Sequence, residues 1–183
     1  MSSNQINEAV YILQQGGVIA YPTEAVYGLG CDPANHKAVQ KILELKQRDR
    51  NKGLILIAAA FEQLSPFLEE IEESLKQRVL ATWPGPVTWL WPAKTEVSSW
   101  LRGEHTTIAI RVTAHPLVVE LCRTFGGALV STSANVSGKP PARDAEQVQA
   151  QFKDQLDYIL EGEVGGLAKP SQIRDVVTGK VLR

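Results

Sequence analysis

The chain has 183 residues, of which 44% are hydrophobic and 21% charged, and its formal net charge is −1. A chain of this length buries roughly 70% of its unfolded surface, which predicts one compact domain over residues 1–183. A net charge near zero excludes a global field that draws the protein to nucleic acid or membrane, so any anion has to bind at a local cluster of charge.

Helical and strand patterns alternate through the first half of the chain. They predict, in order, a helix over 4–15, a strand over 18–21, a helix that Asn35 caps and that ends at about Lys46, a strand over 54–57 and a helical pattern over 58–82. Between the first strand and the second helix, residues 27–30 are predicted to form a glycine-bearing loop, where the backbone can approach a ligand closely.

The second half opens with a rigid turn at 83–86. It continues with strands over 87–91 and 107–112, a helix over 116–125, a strand that opens at 128–130, a loop over 136–143, a helix from Asp144 to about residue 152, and short strands near 156–160, 172–177 and 180–182. Helices alternate with strands, but some connections are turn-like. The pattern therefore predicts an α/β fold, with a mixed sheet of parallel and antiparallel strands flanked by helices.

Positive charge is concentrated where the second helix ends. Lys46, Arg48, Arg50 and Lys52 place four cations within seven residues. A solvated surface loop is the commoner explanation of such a cluster, and a site for a multiply charged anion is the alternative. Side chains two positions apart on a helix point about 200° apart, so Lys46 and Arg48 hold one ligand together only if the helix ends near Lys46.

Small polar side chains follow the strand that opens at 128–130. In an extended chain Ser131, Ser133 and Asn135 point to the same side, just beyond an apolar run. Ligands of open α/β sheets bind beyond the carboxyl ends of strands, but Ser and Asx turns also stabilise strand exits. The pattern leaves both interpretations open.

Other polar groups sit in or beside apolar strands. Thr23 and Glu24 occupy another strand exit, next to the glycine-bearing loop. Arg111 lies inside an otherwise apolar strand, so its guanidinium must be exposed at a sheet edge or paired with an anion, because an unpaired buried charge is costly. That anion is either a ligand carboxylate or an acidic side chain of the protein.

Common cofactor and targeting signatures are absent from the sequence. It has no GxxxxGK[ST], GxGxxG or GxSxG motif, its three histidines lack metal-ligand spacing, and Cys31 and Cys122 are predicted to be reduced thiols in or near the core. The N-terminus lacks the regions of a signal peptide, and the longest apolar run, 54–61, is too short to span a bilayer. The protein is therefore expected to be soluble and cytoplasmic, with no membrane partner.

Five short motifs follow one another along the chain. They are YPTEAVYGLG at 21–30, KxR at 46–48 with KGL at 52–54, WPGPVT at 83–88, IRV at 110–112 with HP at 115–116, and STSAN at 131–135. In this order they resemble the YrdC/TsaC family, and the chain looks like a bacterial single-domain member without the C-terminal extension of longer relatives. The resemblance implies a twisted YrdC-like sheet with a large, concave, positively charged cleft.

The resemblance also implies threonylcarbamoyl-AMP synthase activity. Family members combine ATP, L-threonine and bicarbonate, release pyrophosphate, and supply the threonylcarbamoyl group of a modified tRNA adenosine. The proteins that transfer the product to tRNA are therefore expected partners, and Mg²⁺ is expected to accompany ATP without dedicated protein ligands. Family members have also been described as binding double-stranded RNA, so a module that binds double-stranded RNA or tRNA without catalysis is the alternative.

Carried over residue by residue, the resemblance assigns two sets of ligands. Lys46 and Arg48 match the family's KxR pair and are the predicted catalytic residues. The predicted ATP-binding residues are Lys46, Arg48, Lys52, Thr107, Ser133, Asn135 and Arg143. The predicted threonine-binding residues are Thr23, Arg111, Ser131 and Ser171. Ile57 replaces a histidine that some relatives have near threonine, so that contact is expected to be missing.

Overall fold

The computed structural model describes residues 3–168 and 170–182. Within these residues the strands are β1 (Ile19–Pro22), β2 (Tyr27–Gly30), β3 (Ile55–Ala58), β4 (Val87–Pro92), β5 (Thr107–Val112), β6 (Leu129–Ser133), β7 (Tyr158–Ile159) and β8 (Gln172–Asp175). The α-helices are α1 (Ser3–Gln14), α2 (His36–Lys46), α3 (Glu73–Leu80), α4 (Ser99–Arg102), α5 (Pro116–Phe125) and α6 (Ala145–Phe152).

The strands form one mixed sheet in the order β7-β1-β2-β6-β3-β5-β4-β8. β3 and β5 run parallel, as do β1 with β7 and β4 with β8. The remaining neighbours are antiparallel. The predicted α/β fold with a mixed sheet is therefore confirmed.

Helices cover the two faces of the sheet unequally. One face carries a large core in which Leu56 and Ile110 pack with residues of α2. Because side chains alternate along a strand, their neighbour Ile57 points to the other face. There Ile57 and Leu129 pack against α1 and α5. Beyond this packing, the second face remains partly open where Ile55 and Ala109 pair across β3 and β5.

Local signals set several boundaries as predicted. Asn35 accepts a hydrogen bond from the Ala38 amide and caps α2. Asp144 caps α6 by accepting one from the Gln147 amide. Gly126 ends α5 with a φ of 87°, a left-handed conformation that glycine adopts without strain.

The predicted loop at 27–30 is wrong, because these residues form β2 between β1 and β6. Gly30 makes this close packing possible. A Cβ atom there would lie 2.5 Å from the Val130 oxygen and 2.6 Å from a ring carbon of Tyr21. The glycines serve strand packing here, which a loop prediction does not anticipate.

The predicted helical pattern over 58–82 is also mostly wrong. Two short 3₁₀ turns, Phe61–Gln63 and Ser65–Phe67, precede α3, which is only eight residues long. Pro66 has no amide hydrogen and disfavours a continuous helix. After it, the chain extends to bridge Leu68 with Ala93.

Two smaller features also differ from the predicted elements. The strand expected at 180–182 is a single bridge between Val181 and Arg174, and α4 was not expected.

Cys31 and Cys122 are buried free thiols, as predicted. Across the described ranges, no helix has the length and apolar character that a bilayer crossing requires.

Candidate active site

A pocket lies on the partly open face of the sheet, beside the turn between β1 and β2. It contains about 510 Å³ of space not filled by atoms, part of which is open to solvent. Its lining includes the four residues predicted to bind threonine, together with Ser133. These four are Thr23, Arg111, Ser131 and Ser171.

Strand register brings the distant polar groups together. Ser131 on β6 pairs with Ile55 on β3, and Ile55 pairs with Ala109, two residues before Arg111 on β5. Ser131 and Arg111 therefore project from the same sheet face into the pocket. Thr23 enters from the turn, where its hydroxyl donates to the Val26 carbonyl oxygen at 2.7 Å.

Arg111 pairs with an acidic side chain of the protein. Its Nη2 atom lies 3.2 Å from Oε2 of Glu24, and both side chains are only 9% exposed. The other oxygen of Glu24 accepts hydrogen bonds from the Thr113 hydroxyl at 2.7 Å and the Ala114 amide at 3.2 Å. Of the two anions considered for Arg111 from the sequence, the structure therefore contains the acidic side chain.

Glu24 is a charged residue of the pocket lining that is absent from the predicted site residues. A signal for it was present, because an arginine in an apolar strand requires an anion and Glu24 follows the exit of another strand. What the sequence lacked was the sheet order that brings the two together.

A strap, defined as residues 160–168, forms the outer side of the pocket through Leu167. The amides of Gly165 and Leu167 donate to the backbone oxygens of Thr23 and Glu24, both at 2.9 Å. The Tyr27 hydroxyl donates to the Gly162 oxygen at 2.7 Å and accepts from the Gly162 amide at 3.0 Å.

Two further contacts hold the chain around the strap. A ring nitrogen of His115 lies 3.0 Å from the Glu163 oxygen. Beyond the strap, the hydroxyl groups of Ser171 and Thr88 lie 2.9 Å apart. The pocket is thus enclosed between the sheet and a segment tethered mainly through its backbone.

Lys46 lies next to the pocket residue Ser133, at its backbone oxygen. Its ammonium donates to the backbone oxygens of Ser133 and Asn135, the latter at 2.8 Å, and to the Asn135 side-chain oxygen at 3.3 Å. Burial, reinforced by the positive charge of Arg48, lowers the pKa of the Lys46 amine to about 8. The structure therefore brings together Lys46, Ser133 and Asn135 from the predicted ATP set.

The α2 helix ends at Lys46, as a joint action of Lys46 and Arg48 requires. Gln47 has a φ of 49°, in the left-handed region. The Arg48 guanidinium donates to the Gly53 oxygen at 3.0 and 3.3 Å. In this arrangement Lys46 and Arg48 bind different backbone carbonyls, so neither points unobstructed at a shared anion.

Asn135 does not continue the alternation expected from an extended chain. β6 ends at Ser133, and the side-chain Nδ2 atom of Asn135 donates to the backbone oxygens of Val136 and Lys139. The Ser133 hydroxyl donates to the Asn135 side-chain oxygen at 2.6 Å. Asn135 therefore both orders the chain after the strand and takes part in a polar cluster with Ser133 and Lys46.

The remaining predicted ATP ligands lie around the pocket. Lys52 and Thr107 line a second depression on the same sheet face, which also contains Ala109. Arg143 donates to the Leu167 oxygen of the strap at 3.3 Å. Ile57 is fully buried against α1 and α5, outside the pocket lining.

Residues 11–183 match the Sua5/YciO/YrdC family model, whose description is telomere recombination. A Coxiella burnetii protein named threonylcarbamoyl-AMP synthase is 53% identical over 181 residues, which cover 99% of this chain and 97% of its own. A Vibrio parahaemolyticus protein of the same name is 53% identical over 182 residues, which cover 98% of each chain.

A solved structure of P. abyssi Sua5 complexed with L-threonine superposes with a TM-score of 0.93 at 31% identity. The match covers 100% of this chain and 54% of that chain, so this chain spans about half the length of that protein. The family model, the relatives and the superposition each cover most or all of this chain. The chain belongs to the Sua5/YciO/YrdC family.

Proposed function

We propose that this chain is a threonylcarbamoyl-AMP synthase, a nucleotidyltransferase that converts ATP, L-threonine and bicarbonate to threonylcarbamoyl-AMP and pyrophosphate. The observation that carries the proposal is the convergence of Thr23, Arg111, Ser131 and Ser171 in one pocket. The names of the full-length relatives support the activity. The L-threonine complex of P. abyssi Sua5 supports the amino-acid substrate.

The pocket supplies the groups that an amino acid requires. The Arg111 guanidinium offers a planar set of donors suited to the threonine carboxylate. Ser131 and Ser171 provide hydroxyl groups that donate and accept, which suits the threonine hydroxyl and amine. Thr23 donates its hydroxyl proton to the Val26 carbonyl, so its hydroxyl oxygen is left to accept from a ligand.

The triphosphate is assigned to the region around Ser133. Lys46 provides a buried positive charge there and holds the backbone of Ser133 and Asn135 in place. Arg48 and Lys52 add positive charge nearby, and Thr107 and Arg143 are assigned to the nucleotide. Mg²⁺ arrives as part of the MgATP substrate, held mainly by the phosphates.

The chemistry follows from this placement. The threonine amine combines with bicarbonate to give a carbamate and water. A carbamate oxygen then attacks the α-phosphorus of ATP, the bond from that phosphorus to the bridging oxygen breaks, and pyrophosphate leaves. A pocket enclosed by the strap limits water around the labile carbamate, so catalysis rests on positioning and electrostatic stabilisation.

The product is an activated acyl phosphate that a second protein must consume. Its proposed use is tRNA modification in the cytoplasm, through partner proteins that transfer the threonylcarbamoyl group to adenosine. The alternative, a non-catalytic module for double-stranded RNA or tRNA, explains the basic junction, the four cations Lys46, Arg48, Arg50 and Lys52 after α2. It leaves the amino-acid pocket without a purpose. We therefore favour the synthase over the RNA-binding module.

Pyrophosphate release measured on the purified protein tests the proposal. Release is expected only when ATP, L-threonine and bicarbonate are all present, and Arg111→Ala should lower it by about 100-fold or more at low threonine, because a charge-assisted contact is lost. Glu70→Gln, an exposed glutamate outside this pocket, serves as the control. Release that is indifferent to threonine or bicarbonate contradicts the proposal.

A further inference from the structure

Arg111 is a charged group in a place that disfavours charge. It lies within β5, and the residue is only 8% exposed. Burial of an unpaired guanidinium is costly, so a neighbouring anion must hold it. Its Nε atom is buried and has no hydrogen-bond partner in the described part of the chain. One donor of the guanidinium is therefore unsatisfied, and its ion pair is with Glu24.

Glu24 is the neighbouring anion, and it is fixed at both ends. Its Oε1 atom is held by the Thr113 hydroxyl and the Ala114 amide. Its backbone oxygen accepts from the Leu167 amide of the strap, and the Gly165 backbone packs against it so closely that a Cβ atom there would lie 3.0 Å from the Glu24 Cα. This leaves Oε2, which has no hydrogen-bond partner among the described residues and contacts Arg111 as an ion pair at 3.2 Å.

We propose that Glu24 is the positioning residue of the amino-acid pocket, which orients Arg111 so that its guanidinium meets the substrate carboxylate. This inference rests on the proposed function for the chemical class of the ligand. Glu24 acts through Arg111, because the buried Oε2 faces the guanidinium.

Glu24→Gln is the informative substitution, because it keeps the shape and one carbonyl-type acceptor for Thr113 and Ala114. It replaces the charged Oε2 by an amide that donates toward a group which also only donates. Arg111 then lacks its anion and its fixed orientation. A purely structural role for Glu24 predicts lower stability with equal effects on all ligands, whereas positioning predicts a loss specific to carboxylate ligands.

Calorimetric binding of L-threonine and L-threoninol, which lacks the carboxylate, separates these roles. Wild-type protein is expected to prefer L-threonine. Glu24→Gln should weaken L-threonine binding by about tenfold or more and L-threoninol binding by less than about twofold, since only the first loses a charged partner. Equal losses for both ligands, unchanged binding of both, or no threonine binding by the wild type overturns the inference.

Two further variants complete the design. Thr113→Val removes one donor to Glu24 and is expected to reduce the preference for L-threonine by about threefold. If Glu24→Gln does not fold, an unchanged preference in Thr113→Val overturns the inference. Glu70→Gln is the matched control, since it makes the same chemical change at an exposed glutamate outside the pocket.

The ligand-binding and pyrophosphate-release measurements test the positioning role of Glu24 and the proposed function separately. Pyrophosphate release that depends on threonine, combined with unchanged ligand preference in Glu24→Gln, removes the inference and leaves the proposed function. A selective loss of L-threonine binding, with wild-type protein that releases no pyrophosphate, removes the proposed function and leaves Glu24 as the positioning residue of an amino-acid site.

Discussion

At the scale of single residues, Lys46 combines deep burial with a charge. The residue is 3% exposed, and its amine is held by the backbone oxygens of Ser133 and Asn135. Its positive charge therefore has two effects, since it orders the strand exit and adds to the local potential for phosphate. Both effects weaken when the amine loses its proton.

The lowered pKa of Lys46 predicts how ATP binding depends on pH. Because this pKa is about 8 instead of 10.5, the charge is present below pH 8 and is lost as the pH rises through that value. ATP gains no compensating charge there, since its last phosphate proton dissociates near pH 6. ATP affinity measured by calorimetry should fall by about tenfold between pH 7 and pH 9.5, because the local positive potential and the ordering of Ser133 and Asn135 are lost together.

Lys46→Met provides the comparison for this pH dependence. It keeps the apolar stem and removes the amine, so it should bind ATP weakly throughout and show no fall above pH 8. A fall of the same size in Lys46→Met would assign the titration to another group.

Predictions for single residues were confirmed where the hydrogen-bond partner lies nearby in the sequence. Asn35 and Asp144 cap helices because their acceptors lie within three residues of their donors. The pairing of Arg111 with Glu24 spans 87 positions, so the sequence supplied the need for an anion and not its identity. The predicted direction of the Asn135 side chain was wrong, because its hydrogen bonds to nearby carbonyls end the alternation of the strand.

At the scale of elements, the end of α2 decides where the basic junction points. Gln47 holds a left-handed conformation that costs an L-residue about 1–2 kcal/mol, whereas glycine adopts it freely. Gln47→Gly should therefore raise the free energy of unfolding by up to about 1 kcal/mol, a rise in Tm of about 2–4 °C for a chain of this length. Thermal unfolding followed by circular dichroism measures it.

The matched control for this helix end is Gln47→Ala. It removes the side chain but keeps the Cβ atom that makes the conformation costly, so its Tm should not rise. An equal rise in both variants would show that the side chain, and not the backbone conformation, is responsible.

The two glycines of β2 serve different purposes, although both point to one side of the strand. A Cβ at Gly30 would lie 2.5 Å from the Val130 oxygen, so Gly30→Ala should destabilise the fold by about 1–3 kcal/mol. A Cβ at Gly28 would meet Ser131 Oγ and Thr23 Cγ2 at 3.4 Å, ordinary contact with two pocket residues. Gly28→Ala should leave stability nearly unchanged and weaken L-threonine binding by about tenfold, because a methyl group fills ligand space.

Denaturant unfolding and threonine calorimetry on the two variants test this division. If Gly28→Ala unfolds as readily as Gly30→Ala, or binds threonine like the wild type, the assignment of Gly28 to the pocket is wrong.

Element prediction failed where tertiary contacts overrule local propensity. Residues 58–82 contain many helix-favouring side chains, yet the backbone of Glu69 donates to Pro92 and the Lys94 amide donates to Phe67. These contacts with β4 and the residues after it compete successfully with a helix already interrupted at Pro66. The strand at 107–112 was predicted without error, because its apolar run is flanked by polar segments.

At the scale of the whole molecule, the strap depends on the order of the strands. β7 is one edge of the sheet and β8 is the other, so the connection between them has to cross the molecule. Sequence patterns locate both strands approximately but contain no information on which edge each occupies, because pairing partners are set by nonlocal packing. The alternation of elements predicted the fold class and the resemblance to a known family named candidate site residues, but neither predicted the strap along the pocket.

We expect the strap to be less stable locally than the sheet beneath it. Leu160 and Val164 pack against apolar clusters, but the segment between and beyond them is held by hydrogen bonds to its backbone. Tyr27 provides two of these through its hydroxyl, and burial raises the pKa of that hydroxyl, which keeps it neutral. Tyr27→Phe removes both bonds. At about 1 kcal/mol each, their loss should speed amide hydrogen exchange in residues 160–168 by about tenfold or more.

Exchange followed by mass spectrometry distinguishes opening of the strap from loss of the fold. In Tyr27→Phe the rates in β3 and β5 should stay unchanged, and added L-threonine should slow exchange at Gly165 and Leu167 less than it does in the wild type. Tyr11→Phe, at a tyrosine that is 60% exposed on α1, should leave all these rates unchanged. A uniform rise across sheet and strap would mean that the Tyr27 hydroxyl stabilises the whole domain, and unchanged strap rates would mean that the strap is held mainly by its other backbone bonds.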